Sequence, residues 1–248
     1  MTTHSQRIAL VTGASSGIGA ATALALAKDG MAVAIAARRR DRLDQLAAQI
    51  TASGGTALVL EADLSREADA QRVVAQTQAQ FGRLDVLVNN AGVMYLEPVE
   101  TASLERWRHM FELNILGMIA STQAALHGMR ERKDGHIVNV SSTAGRTAHP
   151  NSGGYAATKF GVGAFSESLR KEVYKDNIRV TVIEPGLVET ELREHIADEN
   201  TRTALDAWAE SMRQLQSDDI ARIIAFCVAQ PAHVNINEVL VRPTDQER

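Results

Sequence analysis

Short apolar runs of strand length alternate with longer segments of helical periodicity along the whole chain, and this order constrains the fold more than any other feature. The apolar runs are nearly continuous, as expected of strands that are buried on both faces of a sheet. This order predicts an α/β fold, a doubly wound parallel sheet with helices on both faces. The predicted strands are Arg7–Val11, Met31–Ala37, Thr56–Leu60, Leu84–Asn89, His136–Val140, Arg179–Ile183 and Val234–Val241.

The segments between these strands carry apolar residues at helical spacing, and no shift in composition divides them into domains. The predicted helices are about Ile18–Asp29, Arg39–Ser53, Arg66–Phe81, Ser103–Arg132, Tyr155–Lys175 and Asp218–Ala229. The polar stretch Val188–Gln214 is also predicted to be helical. We expect a single domain over residues 1–248 that carries both a cofactor site and a substrate site, with 188–214 as a substrate lid.

The charge balance and the lengths of the apolar runs exclude several classes of partner. The chain has 26 Lys and Arg against 30 Asp and Glu, a net charge of −4, which disfavours binding to a nucleic-acid backbone. Its apolar runs are far shorter than the ~20 residues that span a bilayer. The single cysteine, Cys227, fits a reducing compartment. We therefore expect a soluble cytoplasmic protein that binds neither nucleic acid nor membranes, and the histidines show no metal-ligand spacing.

The first predicted strand is followed at once by a glycine-rich turn, Thr12–Gly19, with the spacing G-x-x-x-G-x-G. Glycines allow the backbone to approach a pyrophosphate, which then lies at the positive N-terminus of the following helix. The alternative is that these glycines are only ordinary loop residues. Their position between the first strand and the first helix favours a dinucleotide site in a Rossmann-like fold. The predicted contacts are Gly13, Ser15, Ser16, Gly17, Ile18 and Gly19.

The second strand ends in a run of arginines that predicts the type of dinucleotide. An NAD site usually has an acidic residue here, but neither Asp nor Glu occurs from Met31 to Arg40. Arg38 and Arg39 are suited to the 2′-phosphate of NADP(H). The alternative is a solvated helix start, although cations there oppose the helix dipole.

Polar residues also follow the third and fourth strands. Asp63 is predicted to cap the next helix and also to accept from an adenine amino group, two roles that are compatible, and Leu64 beside it is a predicted cofactor contact. Asn90, Ala91 and Gly92 form either a simple turn or a contact with the cofactor ribose.

A serine, a tyrosine and a lysine have the spacing of an acid–base group. Ser142 follows the fifth strand, Tyr155 comes thirteen residues later, and Lys159 lies one helical turn beyond it. A phenol is a weak acid with a pKa near 10 unless a nearby cation favours its ionised form. Lys159 is placed to supply that cation, although a Tyr and Lys four residues apart often form only a surface pair.

Together these motifs resemble the short-chain dehydrogenase/reductase family over essentially the whole chain, and Ala36–Arg39 is similar to its NADP-preferring members. The resemblance implies a catalytic tetrad of Asn114, Ser142, Tyr155 and Lys159, in which Asn114 forms a kink that holds a water. It also implies contacts with the cofactor, including its nicotinamide end, from Tyr155, Lys159, Pro185, Gly186, Val188 and Thr190. The candidate substrate-pocket residues are Ser142, Tyr155, Met94, Ala144, His149 and Leu187.

The resemblance departs from most members at the C-terminal end. The chain ends Val239–Gln246 instead of in a glycine-rich tail, an ending similar to clavulanate-type aldehyde dehydrogenases and bacterial 3-hydroxy-acid dehydrogenases. We therefore expect an NADP(H)-dependent carbonyl reductase or alcohol dehydrogenase with Tyr155 as acid and base. The alternatives are a 3-oxoacyl-carrier-protein reductase and a non-catalytic NADP-sensing or scaffold protein on the same fold.

Two helical stretches are apolar on more faces than one sheet can cover. They are Leu113–Ala120 and Phe160–Phe165, which are interrupted only by Asn114 and by glycines. A helix that is apolar all round is buried all round. We therefore expect a homo-oligomer, with a tetramer favoured over a dimer.

Overall fold

The computed structural model describes residues 6–196 and 198–247, and its centre is one parallel sheet in the order β3-β2-β1-β4-β5-β6-β7. The order reverses between β1 and β4, which is the place where doubly wound sheets bind their ligands. The strands are β1 (Ile8–Thr12), β2 (Ala32–Ala37), β3 (Thr56–Glu61), β4 (Val86–Asn89), β5 (Gly135–Val140), β6 (Ile178–Pro185) and β7 (Glu238–Val241).

Helices cover both faces of the sheet, as predicted. They are α1 (Gly17–Lys28), α2 (Arg40–Ala52), α3 (Glu67–Phe81), α4 (Leu104–Phe111), α5 (Met118–Arg132), α6 (Gly153–Val173), α7 (Glu199–Glu210) and α8 (Ser217–Ala229). Alternate residues of the inner strands point into two apolar cores. One core packs the sheet against α1, α2 and α8, and the other packs it against α3, α5 and α6.

The predicted helix Ser103–Arg132 is interrupted where Asn114 lies. Glu112–Gly117 forms a π-helical turn between α4 and α5. Gly117 packs against the carbonyl oxygen of Leu64, which a Cβ would approach to 1.9 Å. Asn114 is buried and its side chain leaves the helix to bind the backbone of Val93. The kink that the resemblance implies is therefore present as a wide turn, a form common at functional sites.

Two other predicted elements differ from the structure. The last strand is β7 rather than the whole of Val234–Val241, because the side-chain amide of Asn235 pairs with the backbone of Val180 and replaces the ladder there. The segment 188–214 is not one continuous helix. It contains a short 3₁₀ turn, Glu191–His195, and then α7, whose first turn is capped by the carboxylate of Asp198.

The surface of α6 and of the π-helical turn before α5 bears on the predicted oligomer. Leu116 and Phe160 are large apolar residues with 57% and 46% of their surface exposed. Phe165, by contrast, packs against the chain's own core, and a Cβ on Gly161 would lie 3.0 Å from Ile115 of the same chain. The apolar surface available to a partner is therefore narrower than the sequence predicts, and the oligomer stays a prediction.

No helix within residues 6–196 and 198–247 is long and apolar enough to cross a membrane. In the same residues, no cluster of three or more His, Cys, Asp or Glu side chains is placed to hold a metal ion.

Candidate active site

A cavity of about 970 Å³ lies at the carboxyl ends of β1 to β6, on both sides of the point where the strand order reverses. Its size is within the usual range for a small-molecule or cofactor site. Its lining includes nearly all of the predicted site residues: Gly13, Ser15, Ser16, Gly17, Ile18, Arg38, Arg39, Asp63, Leu64, Asn90, Ala91, Gly92, Met94, Ser142, Ala144, His149, Tyr155, Lys159, Pro185, Gly186, Leu187, Val188 and Thr190.

Two predicted residues, Gly19 and Asn114, do not line the cavity. Gly19 is buried against the backbone of Gly13, where a Cβ would lie 2.3 Å from the carbonyl oxygen. Its role in the structure is close packing of α1 against the end of β1, and not contact with a ligand in the cavity. Asn114 lies behind Gly92, whose Cβ would meet Asn114 Oδ1 at 3.2 Å.

The glycine-rich turn has the backbone shape of a phosphate cradle. Gly13 and Gly17 have φ of 66° and 54°, the left-handed region that a side chain disfavours. Asn90 holds this turn in place, since its Nδ2 donates to the carbonyl oxygens of Thr12 at 3.0 Å and Gly13 at 3.3 Å. The hydroxyl of Thr12 accepts from the backbone of Asn90 and Ala91 in return. The ends of β1 and β4 are thereby joined across the switch point.

The N-terminus of α1 faces the cavity through this turn. Ser16 is its N-cap in extended backbone, and within the described residues no side chain caps this end and its first turn has no acidic residue. Exposed backbone N–H groups with the positive end of a helix dipole favour an anion. The turn therefore fits the pyrophosphate of a dinucleotide.

Arg39, although partly exposed, lies across the glycine-rich turn. Its guanidinium donates to Ser15 Oγ at 3.0 Å and to Ser16 Oγ at 2.8 Å. It also donates to Glu191 Oε2 at 2.7 Å. The side chain is therefore held over the cavity rim, where a phosphate on the adenosine ribose is expected, whereas Arg38 is exposed beside it.

Asp63 is not the cap of the next helix, because α3 begins at Glu67 with Arg66 as its N-cap. Its Oδ1 instead accepts from the backbone N–H and the hydroxyl of Ser65 within the loop after β3. Burial raises the pKa of Asp63, but these hydrogen bonds outweigh burial and the net pKa is lowered. Asp63 is therefore a fixed carboxylate on the cavity wall, the form that can accept from an amino group.

Ser142 and Tyr155 meet at the other end of the cavity. Tyr155 lies in the first turn of α6 and is 6% exposed. Burial raises the pKa of its phenol to about 12, and a hydrogen bond with the Ser142 hydroxyl lowers it only in part. Tyr155 is therefore protonated at neutral pH, and its pKa moves opposite to the direction that the Tyr–Lys spacing predicts.

Lys159 lies one helical turn further along α6, on the same side as Tyr155. Its Nζ donates to the carbonyl oxygen of Val140 at 2.9 Å and lies 5.6 Å from the centre of the Tyr155 ring. Burial lowers the pKa of Lys159 to about 8, because the charged form is poorly solvated there. Ser141 supports this turn, since its hydroxyl donates to the backbone carbonyl of Lys159 at 3.0 Å.

The side chain of Asn114 makes three hydrogen bonds to protein groups. Nδ2 donates to the carbonyl oxygen of Val93 and to the Thr158 hydroxyl at 3.0 and 3.1 Å, and Oδ1 accepts from the Val93 N–H at 2.9 Å. Thr158 precedes Lys159 on α6, so Asn114 joins the wide turn to α6. A water held by Asn114 would have to use its main chain or the second lone pair of Oδ1.

The sequence predicted the segment 188–214 as a lid but did not identify which of its residues, or which residue near the end of the chain, would line the cavity. Leu192, Leu205 and Trp208 come from the 188–214 segment, and Gln246 comes from the end of the chain. Gln246 is buried, and its Oε1 accepts from the Leu187 N–H at 2.9 Å, beside the Pro185–Gly186 turn. No short motif marks these residues, because each reaches the cavity through tertiary folding alone.

Comparison with known proteins gives one consistent result. A family model for short chain dehydrogenases matches residues 7–201. Dehydrogenase/reductase SDR family member 11 of Homo sapiens is 37% identical, over 97% of this chain and 95% of its own length. A serine dehydrogenase complexed with NADP⁺ has a TM-score of 0.90 at 34% identity, over 97% of this chain and 96% of that chain. An alcohol dehydrogenase of the archaeon Thermococcus sibiricus, complexed with 5-hydroxy-NADP, has a TM-score of 0.87 at 28% identity, over 98% and 99%.

Proposed function

Since the chain belongs to the short-chain dehydrogenase family, and is thus an oxidoreductase that uses NAD(P)(H), we propose that it interconverts a ketone or aldehyde and an alcohol with NADP(H). The observation that carries this proposal is the buried contact between Ser142 and Tyr155 at the end of the cavity, with Lys159 one turn away. The residues around the glycine-rich turn fit the dinucleotide at the other end.

A nicotinamide bound beside Tyr155 would supply or accept the hydride, and the protein side chains donate and accept the proton. In the direction of reduction, the Ser142 hydroxyl donates to the substrate carbonyl oxygen and holds it against Tyr155. The phenol, protonated because burial raises its pKa to about 12, gives its proton to the developing alkoxide. The ammonium of Lys159 stabilises the phenolate that remains, and in alcohol oxidation the same groups run in reverse.

The preference for NADP(H) over NAD(H) rests on the arginines after β2. Arg39 is held at the cavity rim by Ser15 and Ser16, and Arg38 is exposed next to it. Guanidinium groups bind phosphate oxygens with charge-assisted hydrogen bonds. The NADP⁺ in the serine dehydrogenase complex and the 5-hydroxy-NADP in the Thermococcus enzyme support the same choice.

Apolar residues surround Tyr155 and indicate the kind of carbonyl compound. Met94 packs in one buried cluster with Tyr155, and Leu192 and Leu205 pack against that cluster from the lid. A substrate bound there presents apolar groups on either side of its carbonyl. The segment 188–214 acts as a lid in this proposal, since α7 and the 3₁₀ turn before it form part of the cavity wall.

The test is a panel of ketones and aldehydes assayed with NADPH and with NADH, on the unaltered chain and on Tyr155→Phe. The variant keeps the ring but loses the proton donor, so kcat/KM should fall by about 10²–10⁴-fold. Its Kd for NADPH, measured by fluorescence, should change little. Tyr174→Phe is the matched control, because Tyr174 is 60% exposed and lies outside the cavity. More than a tenth of the original activity in Tyr155→Phe would contradict the assignment.

A further inference from the structure

Two arginines of the cofactor end share a single carboxylate of the lid. Glu191, the first residue of the 3₁₀ turn, accepts from Arg39 through Oε2 at 2.7 Å and from Arg42 through Oε1. Arg39 and Arg42 come from the beginning of α2, about 150 positions earlier in the chain. The lid is therefore tied to the cofactor end by one side chain with two charged hydrogen bonds.

Glu191 is a carboxylate at every working pH. The hydrogen bonds from Arg42 and then from Arg39 lower its pKa to about 2. The Glu191 side chain is about one-third exposed, and the side chains of Arg39 and Arg42 are slightly more exposed. Water and salt therefore weaken the contact without removing it. The group can therefore exchange one partner for another within the folded chain.

A carboxylate between two guanidinium groups has the recognition chemistry of a phosphate monoester. Both present oxygen pairs that accept from planar N–H donors, and the phosphate carries the larger negative charge. On the basis of the proposed NADP(H) preference, we propose that Glu191 competes with the cofactor 2′-phosphate for Arg39 and Arg42. Arg42 is then a further phosphate-binding residue, and Glu191 lowers the affinity for NADP(H) without changing the affinity for NAD(H).

The exchange has a consequence for the lid. Thr190, directly before Glu191, packs near the glycine-rich turn, since a Cβ on Gly17 would lie 3.2 Å from its Cγ2. When the 2′-phosphate takes the two arginines, the repelled Glu191 releases the 3₁₀ turn from α2. A dinucleotide without that phosphate leaves the Glu191 contacts in place. The 2′-phosphate therefore has two effects. It adds to the binding energy of the cofactor, and it makes the lid more mobile.

The opposite role for Glu191 makes a different prediction. An acidic side chain at this end of a dinucleotide site can accept from the adenosine ribose hydroxyls and so favour NAD(H). In that case removing the carboxylate weakens the binding of a ligand that lacks the 2′-phosphate. The two roles are separated by fragments that carry the adenosine end alone.

The experiment is calorimetric titration of the cofactor-free chain with adenosine 2′,5′-bisphosphate and with 5′-AMP. Glu191→Gln should tighten the bisphosphate about three- to tenfold, the size expected for two partly exposed ion pairs. It should leave 5′-AMP within twofold. Adding Arg42→Gln to Glu191→Gln should abolish the gain. The matched control is Glu189→Gln, which removes the same charge two residues before Glu191. The Glu189 carboxylate accepts from Gln216 Nε2.

Each outcome supports or overturns the inference. An unchanged bisphosphate affinity in Glu191→Gln, or equal tightening in Glu189→Gln, would overturn it, as would weaker binding of 5′-AMP. The NADP(H) preference is tested separately by the ratio of the bisphosphate affinity to the 5′-AMP affinity in the unaltered chain. The role of Glu191 is tested by comparing the bisphosphate affinity of Glu191→Gln with that of the unaltered chain. Hydrogen exchange adds a second readout: the bisphosphate, but not 5′-AMP, should speed exchange at residues 191–196.

Discussion

The buried lysine of α6, Lys159, should make folding stability depend on pH in a defined direction. Burial lowers the pKa of Lys159 from 10.5 to about 8. Between these two values the unfolded chain binds more protons than the folded chain, so stability rises with pH. Below pH 8 the cost of burying the ammonium is present in full, and it disappears as the pH rises toward 10.5.

The size of this effect follows from the two pKa values. The difference between 10.5 and about 8 corresponds to about 3 kcal/mol at 1.36 kcal/mol per pH unit. About 2–3 kcal/mol of this should be recovered between pH 7 and pH 10. Measurements should stop at pH 10. Burial raises the Tyr155 pKa to about 12, so above pH 10 the unfolded chain loses this proton first and folding stability falls as the pH rises.

The assay is urea unfolding of the cofactor-free chain and of Lys159→Met at pH 7, 8, 9 and 10, at one fixed chain concentration. The substitution also removes the hydrogen bond to Val140, but that loss is nearly constant with pH. The stability of the unaltered chain relative to the variant should therefore rise by about 2–3 kcal/mol across the series. Lys171→Met, an exposed position on the same helix, should show no such rise. Parallel pH curves for the unaltered chain and Lys159→Met would refute the reasoning.

The cofactor end, the lid and the outer helix surface carry further expected outcomes. Arg38→Asp should raise KM for NADPH about tenfold or more and KM for NADH little, because an anion replaces a phosphate-binding cation; equal changes would make Arg38 an ordinary helix-start residue. Hydrogen exchange across 188–214 should be slower with NADPH and a carbonyl substrate together than with NADPH alone, and exchange that does not change when the substrate is added would argue against a lid. Phe160→Glu should lower the mass measured by light scattering while Tyr174→Glu should not, and a stable 26.8 kDa monomer of the unaltered chain would contradict the oligomer.

The sheet and the conformation of the glycine-rich turn could be predicted because their signals are local. A strand that is buried on both faces is a continuous apolar run, and a cradle needs glycine at Gly13 and Gly17 whatever the rest of the fold does. The order of the motifs then places them at one edge of the sheet, since the ends of parallel strands meet there.

The contacts that cross the cavity could not be predicted, because they join residues far apart in the sequence. Glu191 meets Arg39 across 152 positions, and Gln246 meets Leu187 across 59. The predicted direction of the shift in the Tyr155 pKa was wrong for a related reason. The spacing of Tyr155 and Lys159 shows that a cation is near, but it does not show how deeply both groups are buried, and burial dominates.

The wide turn at Glu112–Gly117 also sets the rotational phase of the helices on either side of it. Met110 contacts the cluster around Tyr155, and Met129, 19 positions later, lies in the core beneath the sheet. Five turns of a regular α-helix use about 18 residues, so an unbroken helix would rotate one of these methionines outward by about 100°. The π turn absorbs the extra residue and returns both side chains to the interior. A deletion of one residue there could keep the core in phase but would remove Asn114 from its place opposite Val93, so the additional residue serves the site.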